Sequence, residues 1–297
     1  MIHSVVVGGG IMGSGIAIAL ARAGHAVSVV EPNECARARL NTGFAEHRWP
    51  SPELVPSVGA DLQASAAADL VIEAAPEHAE LKRALWRRIG TVAPETAILA
   101  TNTSSLDVDD LAACVPNPAR VLATHWFNPA YEIPCVEVAP GHLTSSAVVQ
   151  HVMEILAAAG KRPVVVGNTA GFVANRIQFA AIREAMLCVQ EGASPADVDE
   201  IVRSSFAPRL AALGPLANAD LGGLDTYLAI FDVLRRAHGA RFEAPAMLVD
   251  LVAEGRVGTK ANAGVFDYTP QSARALAMLR DDRISRVLGA IRNEQGT

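Results

Sequence analysis

Short apolar runs alternate with longer amphipathic or alanine-rich stretches along the first third of the chain. The runs are Ile2–Val7, Ala26–Val30, Leu70–Ala74 and Ala97–Thr101, and the stretches between them include Ile11–Ala23 and Glu80–Val92. Uninterrupted apolar runs mark parallel strands buried on both faces, while the stretches carry helical periodicity, so the order is βαβ. Two further β-rich runs follow, Val121–Trp126 and Pro134–Val138, then a helical stretch, Ser145–Ala159, and a last run, Arg162–Gly167. These pieces predict a doubly wound sheet with helices on each face.

After Gly167 the period changes. Between Gly171 and Gly192 apolar residues recur every three or four positions (Phe172, Val173, Ile177, Phe179, Ile182, Met186, Val189), and no strand-like run returns before the C-terminus. Ser194-Pro195 reads as a helix start, with Ser as cap and Pro in the first turn, and Gly192 just before it suits the end of the preceding helix. The pattern divides the chain into an α/β domain, 1–168, and an all-helical domain, 169–297.

The first run ends in Gly8-Gly9-Gly10-Ile11-Met12-Gly13, a GxGxxG turn placed between a strand and a helix. In that context Gly8 makes the tight turn, Gly10 lets backbone approach a pyrophosphate at the helix N-terminus, and Gly13 lets helix and sheet pack closely. The second run ends in Glu31, 18 residues beyond Gly13. A carboxylate there accepts hydrogen bonds from a ribose diol and repels a 2′-phosphate, so NAD is expected rather than NADP. The 1–168 domain is therefore expected to be a Rossmann-type, NAD-binding sheet.

Composition narrows the classes. Hydrophobic residues make up 51% of the 297 and charged residues 19%, which is globular rather than disordered. With 25 Lys and Arg against 31 Asp and Glu, the net charge is −6, which argues against nucleic acid and anionic membranes as partners. No apolar run approaches the roughly 18 residues of a membrane span, and MIHSVVVGGG has neither a basic n-region nor a cleavage site, so a cytoplasmic address is expected. Cys35, Cys114, Cys135 and Cys188 form no ligand pattern and are read as small core residues. No metal site is expected, and no GxSxG elbow supports nucleophilic hydrolysis.

Three segments beyond the fourth run concentrate chemistry. They are Asn102-Thr103-Ser104-Ser105-Leu106, then His125-Trp126-Phe127-Asn128-Pro129 with Val136-Glu137-Val138, and Gly171-Phe172-Val173-Ala174-Asn175-Arg176. With the glycine turn, these motifs in this order make the sequence similar to the 3-hydroxyacyl-CoA dehydrogenase family. The resemblance implies a dinucleotide-binding domain followed by a helical domain that binds substrate and usually dimerises. It makes His125 the general base and Glu137 its carboxylate partner. Physical chemistry agrees, since imidazole exchanges protons near neutral pH and a carboxylate on its second nitrogen fixes the tautomer. Ser104 and Asn175 match the family's donors to the reacting oxygen. Glu77, Lys82 and Asn102 match positions lining the cofactor. Plainer readings stand beside these: a structural imidazole for His125, a helix N-cap for Ser104, a surface amide for Asn175 and a solvated helix face for Glu77 and Lys82.

Substrate is where the sequence diverges. Fatty-acid-oxidising members of the family carry a lysine-rich helical arm after the position of Glu31, whereas residues 32–68 contain Arg37, Arg39 and Arg48 but no lysine. Asn128-Pro129-Ala130-Tyr131-Glu132-Ile133-Pro134 and Asn175-Arg176-Ile177-Gln178-Phe179 resemble the branch that includes gulonate 3-dehydrogenase (lambda-crystallin) and a pyridine-carboxylate dehydrogenase. Arg209 stands where the gulonate enzyme has an arginine; the resemblance makes it a clamp for a free carboxylate, and a surface or interdomain arginine is the alternative. The resemblance thus implies an NAD-dependent oxidoreductase for a 3-hydroxyacyl-CoA or related hydroxy acid. Its alternatives are a free small hydroxy acid or hydroxymethyl aromatic acid as substrate and, from another class, a non-catalytic dinucleotide-binding structural or sensor protein.

Overall fold

A computed structural model describes residues 1–293. The elements in chain order begin with β1 (His3–Val7), α1 (Ile11–Arg22), β2 (Ala26–Val30), α2 (Glu34–Glu46), β3 (Ser57–Gly59), β4 (Leu70–Glu73), α3 (Ala79–Val92), β5 (Ile98–Thr101) and α4 (Val108–Ala112). They continue with β6 (Val121–Trp126), β7 (Cys135–Pro140), α5 (Ser146–Ala158), β8 (Arg162–Val165) and α6 (Ala174–Gln190). Helices α7 (Pro195–Ser204), α8 (Phe206–Leu213), α9 (Pro215–Gly222), α10 (Leu224–His238), α11 (Ala246–Ala253) and α12 (Pro270–Asn293) complete the chain.

The eight strands form one sheet in the order β3-β2-β1-β4-β5-β6-β7-β8. Strand order reverses between β1 and β4, and the crevice beyond their carboxyl ends is where such sheets bind ligands. Two apolar clusters line the faces: Val6, Ile16, Leu20, Val29, Leu70 and Ile72 contribute to one, and Val5, Val71, Trp86, Ile89, Leu99 and Leu111 to the other. The sheet expected from the apolar runs is thus present, with one correction. Strand β7 runs antiparallel to β6, because only eight residues, Phe127–Pro134, separate them. That is too short for the dozen or more residues a parallel crossover needs.

Two elements carried no sequence signal. Strand β3 has three residues, and α2 buries only Leu40 and Phe44, so neither displays a readable period. The cysteine reading also needs correction: Cys35 and Cys188 are exposed and Cys114 and Cys135 half-buried, and only Cys114 packs against an apolar cluster, at its edge.

The chain divides into two compact units, Met1–Ala181 and Ile182–Thr297. The division falls inside α6, whose first turn is tied to the sheet by hydrogen bonds from Val173 and Ala174 to Glu137. In the second unit Ser194 caps α7 by accepting from the Asp197 amide, as its sequence context predicts, and Gly192 takes a positive φ of 113°. A separate anchor sits on α9, where the buried Asp220 carboxylate accepts from the amides of Val265 and Phe266 and from the Tyr268 hydroxyl.

Candidate active site

The ends of β1 and β2 build the first part of the site. At the end of β1, Gly8 has φ 112°, and a Cβ there would meet the Ala74 carbonyl oxygen at 2.6 Å, so only glycine fits both the turn and the approach. A Cβ on Gly13 would lie 1.9 Å from the Gly8 carbonyl oxygen, whereas one on Gly10 would meet nothing within 4 Å. The first and third glycines thus serve close packing, and the second leaves open space beside the first turn of α1. At the end of β2 the Glu31 carboxylate accepts from the Gly9 amide (2.9 Å) and the Asn33 amide (2.9 Å). An adjoining cavity of about 370 Å³ is lined by Gly8, Val30, Glu31, Pro32, Ala75 and Pro76 among others. Open space at Gly10, an acceptor at Glu31 and a cavity of this size fit a dinucleotide.

The antiparallel β6–β7 pair sets the second part of the site. His125 and Glu137 are directly opposed across it, so residues twelve apart in sequence become neighbours. His125 Nδ1 lies 2.8 Å from Glu137 Oε2, and Nε2 lies 3.2 Å from the Ser104 hydroxyl. Glu137 is buried, and its other oxygen accepts from the amides of Val173 (3.0 Å) and Ala174 (2.8 Å) at the start of α6. Those amides have no partner within the helix, and a carboxylate there also meets the positive end of its dipole. Asn175 follows immediately, half-buried in the first turn. The imidazole is buried between the rings of Phe127, 4.7 Å away between centroids, and Phe172, at 5.5 Å.

An acceptor-only carboxylate next to Nδ1 selects the tautomer with the proton on that nitrogen. Nε2 is then left as the acceptor, aimed toward the Ser104 hydroxyl and able to take a proton.

Ser104 is not the cap of the following helix. Asp107 caps α4 by accepting from the Asp109 amide. Ser104 belongs instead to a loop gathered by Glu77, whose Oε1 accepts from the amides of Ser104 (3.1 Å) and Ser105 (3.2 Å) and from the hydroxyls of Thr103 and Ser105. Burial pushes the Glu77 carboxyl up, but hydrogen bonds from Thr103, Lys82 and Ser105 and the Lys82 charge outweigh it and hold the group below its ordinary value. Lys82 is 1% exposed and bridges Glu73 (2.8 Å) and Glu77 (3.1 Å), which corrects the solvated-face alternative for this lysine. Buried ammonium is tolerated because two carboxylates surround it. Asn102 bridges β5 to β6, its Oδ1 accepting from the Trp126 amide at 2.9 Å.

Sequence reasoning missed Glu73. Its carboxylate is fully buried and accepts from Lys82, Trp86 Nε1, the Thr101 hydroxyl and the Ala75 amide. The available signal was a charge as the last residue of a buried strand, one register position short of where Glu31 follows β2. Arg209, by contrast, lies in the second unit, exposed on α8, where it lines a cleft of about 510 Å³ with Asn218, Tyr227 and Arg280. Among the described residues no group of His, Cys, Asp or Glu is arranged to hold a metal ion, and no helix is long and apolar enough to cross a membrane.

Comparison with known proteins adds to this geometry. The profile of the 3-hydroxyacyl-CoA dehydrogenase NAD-binding domain matches residues 3–51 and 53–169, and that of the C-terminal domain matches 171–268. A 5-formyl-3-hydroxy-2-methylpyridine 4-carboxylate 5-dehydrogenase of Mesorhizobium japonicum is 33% identical over 97% of both chains. A probable 3-hydroxybutyryl-CoA dehydrogenase of Bacillus subtilis is 34% identical over 91% of this chain and 98% of its own. Among solved structures, a 3-hydroxyacyl-CoA dehydrogenase of Archaeoglobus fulgidus superposes with a TM-score of 0.82 and 30% identity, covering 98% of this chain and 99% of the other.

Proposed function

The chain belongs to the 3-hydroxyacyl-CoA dehydrogenase family, and from that premise we propose that it interconverts a 3-hydroxyacyl thioester, or a related hydroxy acid, with its oxo form. It is an oxidoreductase, and its cofactor is NAD. The observation that carries the reaction is the chain of contacts from Ser104 through His125 to Glu137. His125 Nε2 takes the proton of the substrate hydroxyl, and in the reductive direction returns it. Glu137 holds the imidazole orientation and offsets the charge His125 acquires, while its own position is fixed by the α6 amides. Ser104 and Asn175 donate to the reacting oxygen. When bound, NAD supplies the hydride acceptor. Gly10 and Glu31 would hold its adenosine diphosphate portion, with Gly8 and Gly13 keeping the turn close-packed beneath it, and Glu77, Lys82 and Asn102 would lie toward its nicotinamide.

Retention of the whole Ser104, His125, Glu137 and Asn175 set speaks against a non-catalytic scaffold, which needs none of it. We assign 1–168 to cofactor binding and 169–297 to substrate binding and dimerisation. Support for a homodimer comes from α6, which buries none of its 17 residues and exposes Ile177, Phe179, Ile182 and Met186. A cytoplasmic address completes the proposal.

A second reading, a free hydroxy acid, is favoured by α2. The arm has no lysine, and Arg37 is committed to the carbonyl oxygens of Glu31 and Pro32, which leaves few cations for a CoA phosphate. In that reading Arg209 takes the substrate carboxylate. The deciding measurement is kcat/KM with NAD for 3-hydroxybutyryl-CoA, L-gulonate and hydroxymethylpyridine acids, in wild type and Arg209→Met. A free-acid enzyme loses roughly tenfold to a hundredfold on that substitution, the scale of a charge-assisted pair of about 1.5–3 kcal/mol. Efficient thioester turnover, indifferent to Arg209→Met, would eliminate the free-acid reading, and no turnover of any of them would eliminate both.

A further inference from the structure

Glu73 takes no part in the chemistry derived above, yet it is the most heavily hydrogen-bonded buried carboxylate near the crevice. Both of its oxygens lead to the same short loop. Oε1 accepts from Lys82 Nζ at 2.8 Å, and that ammonium also lies 3.1 Å from Glu77 Oε2. Glu77 then gathers the amides of Ser104 and Ser105 through its other oxygen. On the opposite side, Glu73 Oε2 accepts from the Thr101 hydroxyl at 2.8 Å, whose oxygen accepts in turn from the Thr103 amide at 3.2 Å. The two routes, one through a charged pair and one through a hydroxyl, meet at residues 103–105.

The loop is held largely by side chains, with the Thr103 hydroxyl accepting from the Leu106 amide and Asn168 donating to Asp107 as well. Residues 102–107 belong to neither helix nor strand, and α4 begins only after its own cap, Asp107. Backbone amides outside regular structure need other acceptors, and here Glu77 and Thr101 provide them. What the loop carries is Ser104, whose hydroxyl lies 3.2 Å from His125 Nε2.

We propose that Glu73 is a positioning residue: by holding Lys82 and Thr101 at once, it fixes the loop that presents Ser104 to His125. The inference rests on Ser104 and His125 acting together as described above. A glutamine is a poor replacement for the carboxylate: on one side its NH2 meets the Lys82 ammonium and the Ala75 amide, and on the other it meets Trp86 Nε1–H, with only the Thr101 hydroxyl able to turn and accept from it. Either way the charge that pairs with Lys82 is lost and the amide meets at least one donor, so the hold on the loop is weakened. Displacement of a reacting group by about 1 Å is enough to cost on the order of a hundredfold in rate.

The test reads the Ser104–His125 contact directly. In ¹⁵N-histidine-labelled protein without ligands, the His125 Nε2 resonance, assigned by its loss in His125→Gln, should move in Ser104→Ala. It should move in the same direction in Glu73→Gln. Ile89→Val, a truncation in the buried core of the same helix as Lys82, should leave it unmoved while lowering the melting temperature. Should Glu73→Gln not fold, Thr101→Val, which opens only the hydroxyl route, is measured in its place and carries the same expectation. Kinetically, Glu73→Gln should lower kcat by about tenfold to a hundredfold with the KM for NAD within about threefold. The Glu73→Gln, Ser104→Ala double variant should be no slower than Ser104→Ala by more than about threefold. A folded variant with an unmoved His125 signal, or single effects that multiply in the double variant, would overturn the proposal. Since the resonance needs no substrate, a wild type that turned over none of the hydroxy acids would defeat the functional reading and still leave this experiment decisive.

Discussion

The two units bury their apolar residues very differently. Met1–Ala181 contains both apolar clusters, built on the two faces of the sheet, with Trp86, Trp126, Leu20 and Leu99 fully buried. In 182–297 the buried apolar side chains are Pro208, Ala212 and Leu224 among the described residues, while Ile201, Ile230, Val233, Met247 and Met278 are exposed. A sheet covered on both faces closes its own core, whereas amphipathic helices need another apolar surface to cover theirs. The first unit therefore carries its stability and its proton chemistry within itself. The second is a set of helices with exposed apolar residues, and this exposure is the ground on which dimerisation is proposed there.

The sharpest way to break that contrast is to separate the units. Expressed alone, residues 1–181 should melt cooperatively and bind NAD, while 182–297 alone should show no cooperative transition in circular dichroism at micromolar concentration. A monomeric 182–297 fragment with a sharp melt would remove the contrast. Next in size is the chemistry of the first unit. His125→Ala or Glu137→Gln should lower kcat by roughly two orders of magnitude or more, with NAD affinity by calorimetry nearly unchanged. Near-normal turnover in His125→Ala would exclude the proposed base.

A smaller effect is expected at the cofactor end. Glu31→Ala removes the acceptor for the ribose diol and the charge that repels a 2′-phosphate, so the preference for NAD over NADP should shrink about tenfold, or about 1.4 kcal/mol. Unchanged dissociation constants for both nucleotides would move the ribose contact elsewhere.

The smallest prediction concerns pH and stability in the same unit. His25 is buried, with Nδ1 2.8 Å from the Ser4 hydroxyl. Burial lowers its pKa below 6.5, with Asp69 opposing and the N-terminus adding to the shift. The unfolded chain thus binds a proton at a higher pH than the folded one. Stability conferred by the neutral imidazole is complete above about pH 6.5 and is lost as the pH falls from there toward the lowered folded value. Urea midpoints between pH 7.5 and 5.5 should fall less in His25→Gln than in wild type, and parallel curves would show that His25 contributes nothing.

Much of the site was legible because it is written in local patterns. The glycine turn and Glu31 at a strand end each depend on one element, whereas His125 and Glu137 were paired by the family resemblance. Ser104 was legible as a residue but not in its setting, since the cap of α4 is Asp107 and the loop is held by Glu77 from another segment. Lys82 had two open readings on a helix viewed alone, and only the buried Glu73 and Glu77 beside it decided between them.

By itself, then, the sequence determined the alternation of the main sheet strands and helices and the dinucleotide turn, because period and glycine placement act over a few residues, and through its family resemblance it indicated the acid–base pair. Tertiary structure alone decided that β7 turns back antiparallel to oppose Glu137 to His125, that the α6 amides secure that carboxylate, and that Glu73 joins β4, α3 and β5 beneath Ser104. Those contacts span 9 to 37 residues of chain and arise from which donors and acceptors are buried together. Local period carries no record of that pairing, which is fixed only when the sheet and its helices close around the groups and remove them from water.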